Sequence, residues 1–188
     1  LQQTIDGKLF DLAMIAWRPT AGMAELQTML KLGDQNLLLA TSPLTRIQKA
    51  LICLASGEPG KDTVVFAGRL LRHLGAEATL MTVVSRGDKD SASVERISRF
   101  LAAGKNSLAR FGVPAKTTLR QGDLCAILQE EVTSANYDLI VLGASLPDSS
   151  SGRGSSMMER ILNSIEGPSF LIVQSRQYQR MKSKFWRK

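Results

Sequence analysis

Apolar residues in this chain follow two alternating patterns. Unbroken apolar runs of strand length recur at ALICLA (50–55), ATLMTVV (78–84), DLIVLG (138–143) and FLIVQ (170–174). Runs without polar alternation are expected of strands covered on both faces. AKTTLR (115–120) is more polar and predicts a strand close to a sheet edge. Between these runs the apolar positions repeat at three and four, the helical spacing. Val64, Ala67, Leu71 and Leu74 mark one helix, with Asp62 as its expected N-cap and Gly75 as its stop. Val94, Ile97, Leu101, Leu108 and Phe111 mark a longer one that ends at GVP (112–114). Leu124, Ile127, Leu128, Val132 and Ala135 follow a capping Asp123, and Met158, Ile161, Leu162 and Ile165 mark the last helix.

Strands and helices in strict alternation predict an α/β fold with a doubly wound, parallel five-stranded sheet between two helical layers. Sheets of this kind bind ligands at the carboxyl ends of strands where the winding reverses. That rule selects the turns after Ala55 and after Gly143. The second turn opens the Ser/Gly-rich stretch GASLPDSSSGRGSS (143–156), which leads straight into the last helix.

The beginning of the chain repeats part of this unit. FDLAMIAW (10–17) parallels YDLIVLGA (137–144), and LGDQNLLLATS (32–42) parallels EGPSFLIVQS (166–175). Asp11 to Gly33 spans 22 positions against 29 from Asp138 to Gly167, which assigns seven extra residues to the Ser/Gly stretch of the second copy. Residues 1–48 are therefore expected to be a strand–helix–strand partial repeat with a linker, 49–175 the complete domain, and 176–188 a tail. So short a unit cannot bury its own apolar faces. It must lie against the complete domain or against a segment missing from this chain, so that either residues are absent upstream or the first domain is degenerate.

Charge changes the picture only at the end. The net charge is +7, but Arg176, Arg180, Lys182, Lys184, Arg187 and Lys188 carry six positive charges with no acid among them, leaving about +1 elsewhere. A nucleic-acid binder spreads its charge over a folded face, so none is expected as a partner. The tail reads first as a solvated end; its Tyr178, Phe185 and Trp186 allow contact with a membrane surface. No apolar run reaches the roughly 20 residues of a membrane-spanning helix. Cys53 and Cys125 are far apart and read as packing thiols, which places the chain in a reducing, cytoplasmic compartment.

In order along the chain, ALICLASGEPGKDTVVFAGRLLRHLGAEATLMTVV, GDLCAILQEEVTSANYDLIVLGAS and GSSMMERILNSIEGPSFLIV resemble the universal stress protein family over about residues 48–175. The resemblance implies the open α/β sheet described above, with tandem domains and dimers common. It also implies an adenine-nucleotide site, with ATP and its Mg²⁺ as the cofactor. Gly143 matches the first glycine of the family's nucleotide pattern. Leu146 stands where a second glycine belongs. Gly154 and Ser155 match the closing pair but arrive two residues early. Ser56 takes the place of an aspartate that faces adenine, and Val83 is the residue expected to meet adenine through its backbone.

The residues themselves are compatible with phosphate. Gly152 and Gly154 permit close backbone approach, and the N–H groups of Ser155 and Ser156 open a helix whose dipole favours an anion. Arg153 adds charge, while Asp148 opposes it. The cofactor-binding set is therefore Ser56, Gly57, Val83, Gly143, Gly152, Gly154, Ser155 and Ser156. The first copy, its loop reduced to RPTAG (18–22), is expected to bind none. No catalytic residue is predicted: His73, the single histidine, falls in the last turn of a helix, where it meets the carbonyl end. Asp11 and Asp138 read as turn or cap residues before the two matching strands.

The expected function is a nucleotide-binding regulatory module rather than an enzyme. Two other readings stand beside it. One is a cytoplasmic regulatory domain of a membrane transporter. The other is a structural dimer without nucleotide, in which the last strands (37–40 and 170–174) pair at an edge between domains or between chains.

Overall fold

A computed structural model describes residues 10–18, 23–32, 35–41, 46–54, 60–84, 91–144 and 157–174. The expected strands and helices are present: β3 (Lys49–Cys53), α2 (Gly60–Leu74), β4 (Glu77–Val84), α3 (Ser91–Arg110), β5 (Ala115–Gln121), α4 (Leu124–Ala135), β6 (Leu139–Gly143), α5 (Met157–Ser164) and β7 (Ser169–Val173). They are preceded by β1 (Leu12–Ala16), α1 (Met23–Leu32) and β2 (Asn36–Ala40). The strands form one seven-stranded sheet in the order β1-β2-β7-β6-β3-β4-β5. The five strands from β7 to β5 are parallel to their neighbours, as the unbroken apolar runs predict. Polar β5 is the outermost strand on its side.

Each sheet face has its own core. Ala50, Ile52, Leu80, Leu139 and Val141 meet Val64, Ala67 and Leu71 of α2 and Ile97, Leu101 and Leu108 of α3. Leu51, Met81, Ile140 and Leu142 face Ile127 and Leu128 of α4 and Ile161 and Leu162 of α5 on the other side. In α2, a Cβ on Gly60 or Gly68 would stand 2.7 Å from Phe100 or 2.6 Å from Phe111, so both positions give up a side chain to let aromatic rings sit close.

Two caps differ. Asp123 is the N-cap of α4, its carboxylate accepting from the Ala126 N–H. Asp62 is not a cap: α2 already begins at Gly60, and Asp62 lies inside its first turn, where a carboxylate still favours the positive helix end. Cys53 and Cys125 are free thiols, as expected.

The partial repeat continues the same sheet. β2 runs antiparallel to β7, with Leu37 opposite Ile172, Leu38 opposite Leu171 and Leu39 opposite Phe170. The two segments are related bond for bond. Asn36 N–H donates to Asp11 O as Ser169 N–H donates to Asp138 O, both at 3.0 Å. Trp17 N–H donates to Ala40 O as Ala144 N–H donates to Val173 O, both at 2.7 Å. The side chains across the junction follow suit, since Gln174 N–H donates to Asn36 Oδ1 and Thr41 N–H to Ser169 Oγ.

Two expectations change in consequence. Leu12 pairs with Asn36, 24 positions on, and Leu139 with Ser169, 30 positions on, so the second copy carries six additional residues rather than seven. Aligning Gly33 with Gly167 shifted the second strand by one place. The last strands, expected to pair between domains or between chains, pair between the two copies inside one chain, which occupies the edges assigned to a homodimer.

Candidate functional site

β3 lies between β4 and β6, so the chain winds outward from it in both directions. Its carboxyl end and that of β6 lie side by side, with Cys53 opposite Leu142. This is the reversal point where α/β sheets accept ligands. Both strand ends selected from the sequence therefore meet in one place.

Gly143 ends β6 there. A Cβ on it would stand 3.1 Å from the Thr63 hydroxyl oxygen, so the absent side chain is what lets the first turn of α2 come down onto the strand. The amino end of α2 thereby approaches the reversal point. Val83, the next-to-last residue of β4, pairs with Arg120 of β5 and is partly exposed. Ser56, Gly57, Gly152, Gly154, Ser155 and Ser156 lie outside the described residues. Leu146, Asp148 and Arg153 do as well.

Two buried hydroxyls near these strand ends were not singled out from the sequence. Thr63 of α2 and Thr82 of β4 are both 1% exposed. Thr82 Oγ1 has no hydrogen-bond partner. A threonine late in the otherwise apolar run ATLMTVV was the available signal, since buried hydroxyls normally find partners.

At the matching place in the first copy, Ala16 and Trp17 correspond to Gly143 and Ala144. Trp17 is 4% exposed and packs with α1 residues Leu26, Met29 and Leu30. An indole thus occupies the position after the strand where the second copy has a methyl group.

The chemistry of the remaining groups is quiet. Burial pushes the Cys53 thiol up to about 12, which keeps it protonated and unreactive at neutral pH. Among the described residues no three histidine, cysteine or acidic side chains gather where they could hold a metal ion. No helix of the described residues is long and apolar enough to cross a membrane. A shallow depression of about 260 Å³ lies at the opposite, amino end of the sheet, lined by Lys49, Glu77, Thr79, Lys116 and Tyr137 among others. It is remote from Gly143.

No protein-family model matches the chain, and no curated protein matches it. Solved structures do. A universal stress protein in complex with cAMP superposes with a TM-score of 0.58 at 16% identity, over 70% of this chain and 99% of that one. A universal stress protein from Archaeoglobus fulgidus in complex with dAMP gives 0.54 at 10% identity, over 69% and 98%. A longer universal stress protein from Archaeoglobus fulgidus DSM 4304 gives 0.65 at 10% identity, over 92% of this chain and 63% of that one. The sheet order, the helical layers and these superpositions together show that the chain has the universal stress protein fold.

Proposed function

We propose that this chain is a universal stress protein-like regulatory module that binds an adenine nucleotide where β3 and β6 end. The observation that carries the proposal is the approach of Gly143 to Thr63, which brings the amino end of α2 to the sheet's reversal point. The neighbours of the same fold that hold cAMP and dAMP support an adenine ligand in particular. Backbone groups at the end of β4, beside Val83, would face the base. The Ser/Gly stretch with Gly152, Gly154, Ser155 and Ser156 would face the phosphates, ATP bringing Mg²⁺ with it. Ser56 and Gly57 would close the pocket from the β3 side.

The reading is of a binding module and not of an enzyme. Its nearest thiol is held protonated, and the buried hydroxyls Thr63 and Thr82 have no histidine beside them in sequence. Isothermal titration of the purified chain with ATP and Mg²⁺, with cAMP and dAMP in parallel, tests it. Saturable heat for at least one of them is expected. The absence of both heat and a thermal shift at millimolar ligand overturns it.

A further inference from the structure

The small net charge outside the tail conceals a separation of charge between the two helical layers. α2 and α3, on one side of the sheet, carry seven lysines and arginines against two carboxylates, Asp62 and Glu95. α4 and α5, on the other side, carry three carboxylates, Glu130, Glu131 and Glu159, against Arg160. The positive excess is not neutralised locally. Arg99 pairs with Glu95 at 3.3 Å within α3. Arg69, Arg72, Arg96, Lys105 and Arg110 are all exposed, and among the described residues no carboxylate pairs with any of them.

Helix-end electrostatics accounts for two of the five. Arg72 and Arg110 lie in the last turns of α2 and α3, where a cation meets the carbonyl end. Arg69 and Lys105 lie further up, and Arg96 stands in the amino half of α3, where a cation gains nothing from the dipole. The two helices run parallel and side by side at a constant offset of 40 positions: Gly60 meets Phe100, Val64 meets Gly104 and Gly68 meets Leu108. On that register Arg69 and Arg110 are nearly level, and Lys105 is level with Val65. Lys61, Val65, Arg69 and Arg72 follow one another at four, four and three, and so share one face of α2. Val65 in that row is 36% exposed, and Leu74 at the end of the helix is 40% exposed.

Such a face fits a broad anionic surface. Both helices lie in one layer on the same core, so neither stands out to enter a nucleic-acid groove, which admits a single helix. Apolar Val65 and Leu74 among the cations suit the headgroup region of a membrane better than a phosphodiester backbone. The tail, which lies outside the described residues, adds six basic side chains with Tyr178, Phe185 and Trp186, the same pairing of charge and apolar bulk in sequence.

We propose that the α2–α3 face docks on an anionic lipid bilayer. Its unpaired cations meet the headgroups, and Val65 and Leu74 reach the boundary with the acyl chains. Each basic side chain near such a surface adds about fivefold to the affinity. The face lies on a helical layer rather than at the strand ends, so docking does not depend on the nucleotide site.

The test is co-sedimentation of the full chain of 188 residues with vesicles of phosphatidylcholine, alone or mixed with phosphatidylserine. Binding to the mixed vesicles only is expected, weakening as salt is raised. Arg69→Gln, Arg72→Gln and Lys105→Gln combined should weaken it about a hundredfold, with the tail intact and the melting temperature unchanged. Arg96→Gln combined with Arg110→Gln, an independent pair on α3, should weaken it about twentyfold or more. Three results overturn the proposal. The first is no binding, or equal binding to both kinds of vesicle. The second is equal binding by the native chain and both variants, which assigns the attraction to the tail. The third is an affinity for single-stranded RNA, lost in the variants, without any for the mixed vesicles, which assigns the face to nucleic acid.

Discussion

Leu38 and Leu171 lie opposite one another at the centre of the antiparallel β2–β7 ladder. The flanking pairs, Leu37 with Ile172 and Leu39 with Phe170, exchange places when the two halves of the chain are interchanged. The ladder is therefore an internal counterpart of a symmetric two-chain contact, made here by two unequal copies within one polypeptide.

Removing the first copy exposes one side of β7, all five of whose residues are buried in the intact chain. A chain beginning at residue 46 is expected to self-associate, two β7 strands taking the place of β2 and β7. Light scattering after size exclusion reads the mass. A shortened chain that stays folded and monomeric contradicts the ladder. Within the intact chain, Leu39→Ala empties a fully buried site and should cost about 2–5 kcal/mol in denaturant unfolding.

Gly143→Val places branched carbon where 3.1 Å already separates a single Cβ from the Thr63 oxygen. Displacing α2 from the strand end should destabilise the chain by about 1–3 kcal/mol, the range for overpacking. Thermal and denaturant unfolding measure it. A neutral effect would mean that α2 does not depend on this glycine.

The thiol of Cys53 sets an alkaline limit. Its folded value is raised from 9.0 to about 12 by burial, so it favours the folded state while protonated. That contribution is complete below pH 9.0 and is lost as pH climbs toward about 12. Cys53→Ala should flatten the fall in stability across this window. At pH 8 the native thiol should react with a maleimide far more slowly than the same thiol in denaturant.

The carboxylate of Asp123 acts at the other end of the scale. The Ala126 N–H first, and Arg160 with it, holds the carboxyl below its usual range. A lowered value stabilises the fold above the unfolded value and is lost as pH falls through the folded one. Asp123→Asn keeps a capping oxygen but removes the charge. It should lower the melting temperature slightly near neutral pH and reduce its drop below about pH 4.

The fold was legible because its strands are unbroken apolar runs and its helices keep the three-and-four spacing. Periodicity reports only local geometry, however. That YDLIVL and FDLAMI belong to matching strands could be read, but not that β2 turns antiparallel onto β7, since that pairing joins residues more than 130 positions apart. The same limit left the pairing of the last strands open between domains and chains: two apolar edges were visible, and which union they made was not. Asp62 misled because its identity suits a cap, whereas Gly60 and Lys61 had already entered the helix. At the site, Gly143 and Val83 were legible as strand ends. Thr63 was not, because its meaning lies in a contact with a glycine 80 positions away.

Parallel calorimetric titrations of the native chain and of Gly143→Val with ATP and Mg²⁺ test the central claim most directly. The native chain should give a saturable heat. It should also gain thermal stability, about 2.7 kcal/mol when free ligand reaches about a hundred times Kd. Gly143→Val should bind more weakly or not at all. No heat from the native chain at millimolar nucleotide, or equal binding by both proteins, would contradict a nucleotide site at the end of β6.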